Sequence, residues 1–456
     1  MAEGNRLLPS RLGSTRWIVV SALSAAMLPA QDMRRVEEPV IPPVCFSVVA
    51  RLSAANLDET RPDTVRIQKA LDGCGQGKAV ELKAADGFDA FLSGPLQLRA
   101  GVTLLVERGA MLFGSRNPRD YDVAPGACGK VDDNGHGCKP LIGADHVVGA
   151  GVMGDGMIDG RGGSKLSGAN ISWWDLAQEA KVKNLEQNCP RILVLTNADD
   201  FTLYRITLRN SPNFHVYYSG GNGFTAWGVK IDSPKTSRNT DGIDPSSATN
   251  VTITHCYIHA GDDQVAIKAG SNGPSSHITV AHNHFYTGHG ISIGSETNGG
   301  ASAIRVTDLS IDGADNGIRI KSNSSRGGLV GDVVYEDVCI RDTKNPIMMD
   351  SNYSYYGKNR DKLPTFTDII LRNVRVLSPG KITLDGYDAT HRLGMTFDGV
   401  WLDDPASVKM AAHHADLTFA SGAANFLPAG EDVQVFGKPG TGKPSACEDK
   451  FVAMPK

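Results

Sequence analysis

The chain has 456 residues, with 46 Lys and Arg against 50 Asp and Glu and a formal net charge of −4. A balance this close to neutral excludes nucleic-acid recognition by overall charge, so any anionic ligand must be held by a local basic patch. The length alone suggests two or three domains. However, no Pro/Ser-rich linker divides the chain after about residue 45, and a solenoid lengthens without needing a second core.

At the N-terminus, Arg6, Arg11 and Arg16 precede an apolar stretch over residues 17–28, followed by Pro29-Ala30. This order reads as a secretory signal over residues 1–30, too short for a stable membrane span. No later segment is apolar enough to cross a membrane, so the expected location is extracellular. Residues 31–44, acidic and Pro-rich, read as a flexible leader, and residues 45–456 as one domain. The eight cysteines fit an oxidising compartment. Cys45 and Cys74 flank residues 62–71, where Val65, Ile67, Ala70 and Leu71 suggest a short amphipathic helix. Such a helix would cap the open end of a solenoid. Cys128 and Cys138 lie ten apart in a Gly/Asp-rich loop. The expected pairs are Cys45–Cys74 and Cys128–Cys138. Cys256 falls on an inward position and is expected as a buried thiol, while Cys189, Cys339 and Cys447 stay unassigned. No spacing reads as a zinc site, and neither a metal nor a cofactor is expected. Asp132-Asp133-Asn134-Gly135 lacks the rest of a calcium loop and reads as a turn.

From residue 201 a pattern recurs: apolar, any, apolar, any two, apolar, any, apolar. It begins at Phe201, Phe224, Val251, Ile278, Ile304, Val333, Ile369 and Met395, in steps of 23, 27, 27, 26, 29, 36 and 26 residues. A period of 20–50 residues marks a solenoid. Alternation within the unit marks strands with one buried face, and the wider step in the middle marks a bend. The predicted fold is all-β, a right-handed parallel β-helix with a short N-terminal capping helix. Asn283 takes an inward position, where it can hydrogen-bond along the stack.

Each coil has a further apolar strand, and Ile243, Val265, Ile291 and Ile318 align. Two residues earlier stand Asp241, Asp263 and His289. Equal offsets mean equal places around the coil, and neighbouring coils lie roughly 4.8 Å apart. The three side chains should therefore form a row along the outside. Arg319 and Lys321 flank inward Ile320 and should point outward one coil beyond His289. Asp262 would normally face away from Asp263, but Gly261 permits an irregular path into the strand. Three close carboxylates cannot all ionise freely, so at least one pKa should rise. An acid and a base then coexist at one pH, as glycosidic bond cleavage requires. The nearby cations suit a substrate that carries carboxylates.

These motifs resemble the polygalacturonases of glycoside hydrolase family 28, and most nearly its bacterial secreted branch. The matching segments are Asn239-Thr240-Asp241, Gly261-Asp262-Asp263, Gly288-His289-Gly290 and Arg319-Ile320-Lys321, in order, within a resemblance covering roughly residues 45–400. The resemblance implies hydrolysis of α-1,4 bonds within polygalacturonate, the de-esterified form of pectin, with inversion. It implies Asp262 as general acid and Asp241 with Asp263 as the pair that activates water. His289 would tune the acid, and Arg319, Lys321 and Asn239 would hold substrate. A family tyrosine one coil further on falls at Tyr353, with Tyr355 and Tyr356 close by. Many members have Cys after the paired aspartates; this chain has Gln264. The expected partner is the pectic polysaccharide, with no nucleic acid, no membrane and a monomeric state.

Three other readings stay open on the residues alone: an exo-acting enzyme of the same family, a pectate lyase on a similar solenoid, and a non-catalytic carbohydrate-binding solenoid. The absence of a large insertion between residues 200 and 400 favours endo action over exo. Phe214, Tyr217, Tyr218 and Trp227 could each be core or subsite.

Overall fold

Each repeat turns on a single residue of positive φ. In the computed structural model, which describes residue 1, residues 31–353 and residues 361–455, these residues are Arg205, Gly228, His255, His282, Asp308, Asp337, Asn373 and Gly399, with φ between 50° and 89°. They occupy the second of the two spacer positions between the apolar pairs. Asn, Asp, His and Gly enter this left-handed region at least cost, which explains why they recur there; Arg205 is the exception. The bend predicted from the wider step is therefore a one-residue device.

The strands stack coil on coil in parallel register. Leu193–Thr196, Val216–Ser219, Ile243–Ser246, Val265–Ile267, Ile291–Ile293, Asn316–Lys321, Asn345–Asp350 and Gly380–Asp385 form one continuous ladder. The segments before and after each bend build the other faces; in later coils both halves join into long strands such as Ser275–Phe285 and Ala301–Asp312. The result is a parallel β-helix. Ile206, Val229, Cys256, Leu309, Val338, Val374 and Val400 stack fully buried along its interior. Asn283 interrupts that column without an unmet group. Its Nδ2 donates to the Ile253 carbonyl at 2.9 Å, and its Oδ1 accepts from the Cys256 amide at 2.8 Å.

The capping helix runs Thr64–Gly73, with Ile67 and Leu71 buried against the first coils. Val65 does not share that face: it is 81% exposed, because the apolar stripe is narrower than the sequence suggested. A second helix, Trp173–Lys183, was not foreseen. Its signal was present in Ser172-Trp173-Trp174-Asp175. Ser172 and Asp175 form a reciprocal capping box that satisfies the first free amides.

Disulfides join Cys45 to Cys74, Cys128 to Cys138 and Cys339 to Cys447. Cys189 and Cys256 are buried free thiols. The last bridge fastens the C-terminal tail, which runs back across the coils. Lys450 pairs with Asp308, Tyr286 Oη donates to the Val452 carbonyl at 3.1 Å, and Arg341 lies 4.2 Å from the Phe451 ring centroid.

The start of the expected flexible leader also lies on the coils. Asp32 is buried, receiving Thr252 Oγ1 at 2.8 Å, and its amide donates to Thr279 Oγ1 at 2.9 Å. Arg34 donates to the Phe224 carbonyl at 2.8 Å, and Tyr204 Oη donates to Glu38 at 2.7 Å. Polar side chains on the outer face, which alternation leaves available, provide these anchors. The predicted signal segment falls within residues 2–30, outside the described residues. Among the described residues no helix is long and apolar enough to cross a membrane.

Candidate active site

Ile243, Val265, Ile291 and Ile318 are register partners on successive coils. Asp241, Asp263 and His289 accordingly take equivalent places just before the strands. Backbone hydrogen bonds tie them together: Gly242 N to Asp263 O at 2.8 Å and Gln264 N to Gly290 O at 3.1 Å.

Asp262 reaches the same cleft because the strand has not yet begun. Residues 261–263 form a bend, and regular pairing starts at Val265, so two-residue alternation does not apply. Gly261 is needed for a close approach: a Cβ there would fall 1.9 Å from the Ser237 carbonyl oxygen. Asp262 Oδ1 meets His289 Nδ1 at 2.9 Å, and the His289 amide donates to the Asp262 carbonyl at 2.9 Å. Gln264 holds the other side of the histidine loop. Its Nε2 donates to the Tyr286 carbonyl at 2.6 Å, and its Oε1 accepts from the Gly290 amide.

Arg319 and Lys321 point outward as expected, yet both are buried because they close on Asp263. Arg319 Nη2 contacts Oδ1, Lys321 Nζ lies 2.8 Å from Oδ2, and Ser292 Oγ bridges by donating to Asp263 Oδ1 at 3.0 Å and accepting from Arg319 Nε at 2.9 Å. Burial pushes the Asp263 carboxyl up, but Arg319 and Lys321 outweigh it and hold it below the ordinary range. Burial also opposes ionisation of Asp262; the His289 hydrogen bond and charge, with Lys321 and Arg319, prevail and hold it low. For His289, burial pulls downward but Asp262 raises the net value above that of a free imidazole.

Asp241 behaves in the opposite sense. Burial pushes it well above the ordinary carboxylate range, and the Asp244 and Asp262 charges add to this; Lys268 acts against them. Asp244 is likewise raised by burial despite Lys268. Lys268 Nζ lies 2.5 Å from Asp244 and 3.7 Å from Asp241. The cleft thus holds two low carboxyls, Asp262 and Asp263, and two raised ones, Asp241 and Asp244.

Residues 74–418 match the model of glycosyl hydrolases family 28. The chain belongs to this family. It is 44% identical to an endo-polygalacturonase of Pectobacterium carotovorum subsp. carotovorum, over 88% of this chain and 95% of that protein. It is 40% identical to a polygalacturonase of Ralstonia nicotianae over 92% of both chains. The solved polygalacturonase from Erwinia carotovora ssp. carotovora superposes with a TM-score of 0.76 at 40% identity, covering 89% of this chain and all of that one.

The remaining family 28 positions are placed less tightly. Tyr353 stands beside the cations, with Lys321 Nζ 5.2 Å from its ring centroid. Tyr355 and Tyr356 lie outside the described residues. Asn239 is half-buried and accepts from Gln187 Nε2 at 3.3 Å, beside the second helix rather than in the ion-pair cluster. Ligand atoms of Asp262, Asp263 and His289 come within 4.8 Å of one another. Both oxygens of Asp263 are already committed to side-chain cations, so this set is poorly suited to a metal. Sequence reasoning missed Ser292, Asp244, Lys268 and Asp315. Asp315 collects Lys344 at 2.8 Å, Lys235 at 3.0 Å and His289 Nε2 at 3.9 Å. Ser292, Asp244 and Arg319 share one outward column, a signal readable from the alignment of the coils. Of the four aromatic residues left open, Tyr218 is core, Phe214 and Tyr217 are half-buried against Arg191, and Trp227 stacks on His255 on another face.

Proposed function

We propose that the chain is a secreted, monomeric endo-polygalacturonase that hydrolyses α-1,4 bonds within de-esterified pectin, with the inversion the family implies. One observation carries this reading: adjacent coils of a family 28 solenoid bring together a raised carboxyl, Asp241, a proton-holding Asp262–His289 pair, and the cations Arg319 and Lys321.

In the free protein the proton of the Asp262–His289 pair rests on the imidazole, because Asp262 is held low and His289 high. A galacturonate carboxylate at Arg319 and Lys321 offsets part of the charge that stabilises ionised Asp262, and the sugar removes water from it. Both effects raise Asp262, so the proton shifts toward its carboxyl, from which it reaches the leaving oxygen. Asp241 is the stronger base of the water-activating pair, since a base is most effective when its pKa lies near the working pH. Asp263, held ionised by its cations, positions the water and the substrate-binding groups. Tyr353 packs beside the bound carboxylate.

The change Asp262→Asn keeps size and removes the carboxyl that takes up and delivers the proton. We expect release of reducing ends from polygalacturonate to fall by at least about 10²-fold, the usual worth of a general acid. Binding of the polymer should persist. Retained turnover would remove Asp262 from the role of acid.

A further inference from the structure

The row of side chains before the ladder strands continues on the N-terminal side of Asp241. Leu193 pairs with Val216, and Val216 with Ile243, so the residues two positions earlier follow in order: Arg191, Phe214, Asp241. Arg191 thus stands two coils on the N-terminal side of Asp241, roughly 10 Å along the axis at the usual strand spacing. Arg319 and Lys321 stand on the opposite side.

Arg191 is held rather than solvated. Its guanidinium lies 4.8 Å from the Phe214 ring centroid and 5.1 Å from that of Tyr217. Lys268 Nζ lies 4.3 Å from the same Phe214 ring. The two aromatic faces therefore hold the fork in place. Among the described residues Arg191 Nε is enclosed without a hydrogen-bond partner and no carboxylate lies within ion-pair distance of this side chain, although the charges of Asp244 and Asp241 act on it from further off. Arg319, by contrast, is committed to Asp263 and Ser292. A buried donor without an acceptor is costly, and a guanidinium is a two-pronged match for a carboxylate.

We propose that Arg191, seated on Phe214 and Tyr217, binds the carboxylate of a second galacturonate unit, on the N-terminal side of the bond being cleaved. This rests on the polygalacturonate reading and deepens it. The cleft then grips the polyanion on both sides of the acid and base, at Arg191 and at Arg319 with Lys321. A methyl ester at the Arg191 position removes the charge and one acceptor, so the subsite also selects for de-esterified substrate.

The test uses oligogalacturonates of increasing length and a methyl-esterified counterpart, with wild type, Arg191→Gln and Arg191→Lys. For oligomers long enough to span the subsite, Arg191→Gln is expected to raise KM about tenfold with kcat little changed, the worth of one charge-assisted contact. For oligomers too short to reach it, KM should stay within about twofold, since the contact is never formed. Arg191→Lys keeps the charge without the fork and should fall between. Preference for the free acid over the ester should shrink in Arg191→Gln. A KM increase independent of length, or an unchanged KM and ester preference, would overturn the subsite alone. A wild type that releases no reducing ends would overturn the polygalacturonate reading, and the subsite with it.

Discussion

Asp241 and Asp262 stand on opposite sides of the ordinary carboxylate range, and their neighbours explain why. Asp262 faces His289, Arg319 and Lys321, whereas Asp241 is buried beside Asp244 with Lys268 as its main counter-charge. The pH profile follows. With Asp241 as the proposed base, activity needs it ionised, so the acid limb follows its raised pKa. It also needs the proton of the Asp262–His289 pair, so the alkaline limb follows the raised His289 value, above the free imidazole value of about 6.5. Lys268 favours the charged form of Asp241, so its removal raises that pKa further. The change Lys268→Gln should move the acid limb of kcat/KM to higher pH and leave the alkaline limb in place. A shift of the alkaline limb instead would tie Lys268 to His289 and contradict the assignment. The motifs made Asp262 and Asp263 legible as a pair. Ser292, which bridges Asp263 to Arg319 from the next coil, and Lys268, which faces Asp241 and Asp244 from just beyond the strand after Asp262-Asp263, were not, because neither carries a motif of its own.

Two elements outside the repeat keep the solenoid and its site in order. The helix Trp173–Lys183 supports the loop that leads to Asp241: Arg238 Nη1 donates to the Ala177 carbonyl at 2.9 Å, and Gln187 just beyond the helix holds Asn239. Helical periodicity over eleven residues is a weak signal, and only the capping box of Ser172 and Asp175 marked it. The C-terminal tail is the other element. Cys339 and Cys447 are separated by 108 residues, so no local spacing pointed to their pairing. Cross-linking a loop of this length is worth about 2–5 kcal/mol. Cys447→Ser should therefore lower the unfolding free energy by about that amount, expose the tail to trypsin at Lys450, and leave kcat unchanged. Unchanged stability and trypsin resistance would mean that Lys450–Asp308 and the Arg341–Phe451 contact hold the tail by themselves.

At the scale of the molecule, the solenoid converts a spacing of about one repeat into a row of side chains along one face. The repeat made the topology legible, since eight coils share one apolar pattern and one bend. The two straps were not legible: residues 31–38 and 447–452 lie outside the repeat, the first held by polar side chains on its outer faces and the second by a distant disulfide, an ion pair and a cation–ring contact. On the proposed roles, cations stand along the stack on both sides of Asp241, Arg191 on earlier coils and Arg319 with Lys321 on later ones, which suits a polyanion bound at its middle. The most direct test is digestion of polygalacturonate by the purified protein, following reducing ends, viscosity, ultraviolet absorbance and product size, with and without a chelator. New reducing ends, early loss of viscosity, a spread of oligomer lengths, no unsaturated products and full activity in chelator are expected. Unsaturated, ultraviolet-absorbing products lost on chelation, or monomer and dimer released only from chain ends, would contradict endo-hydrolysis.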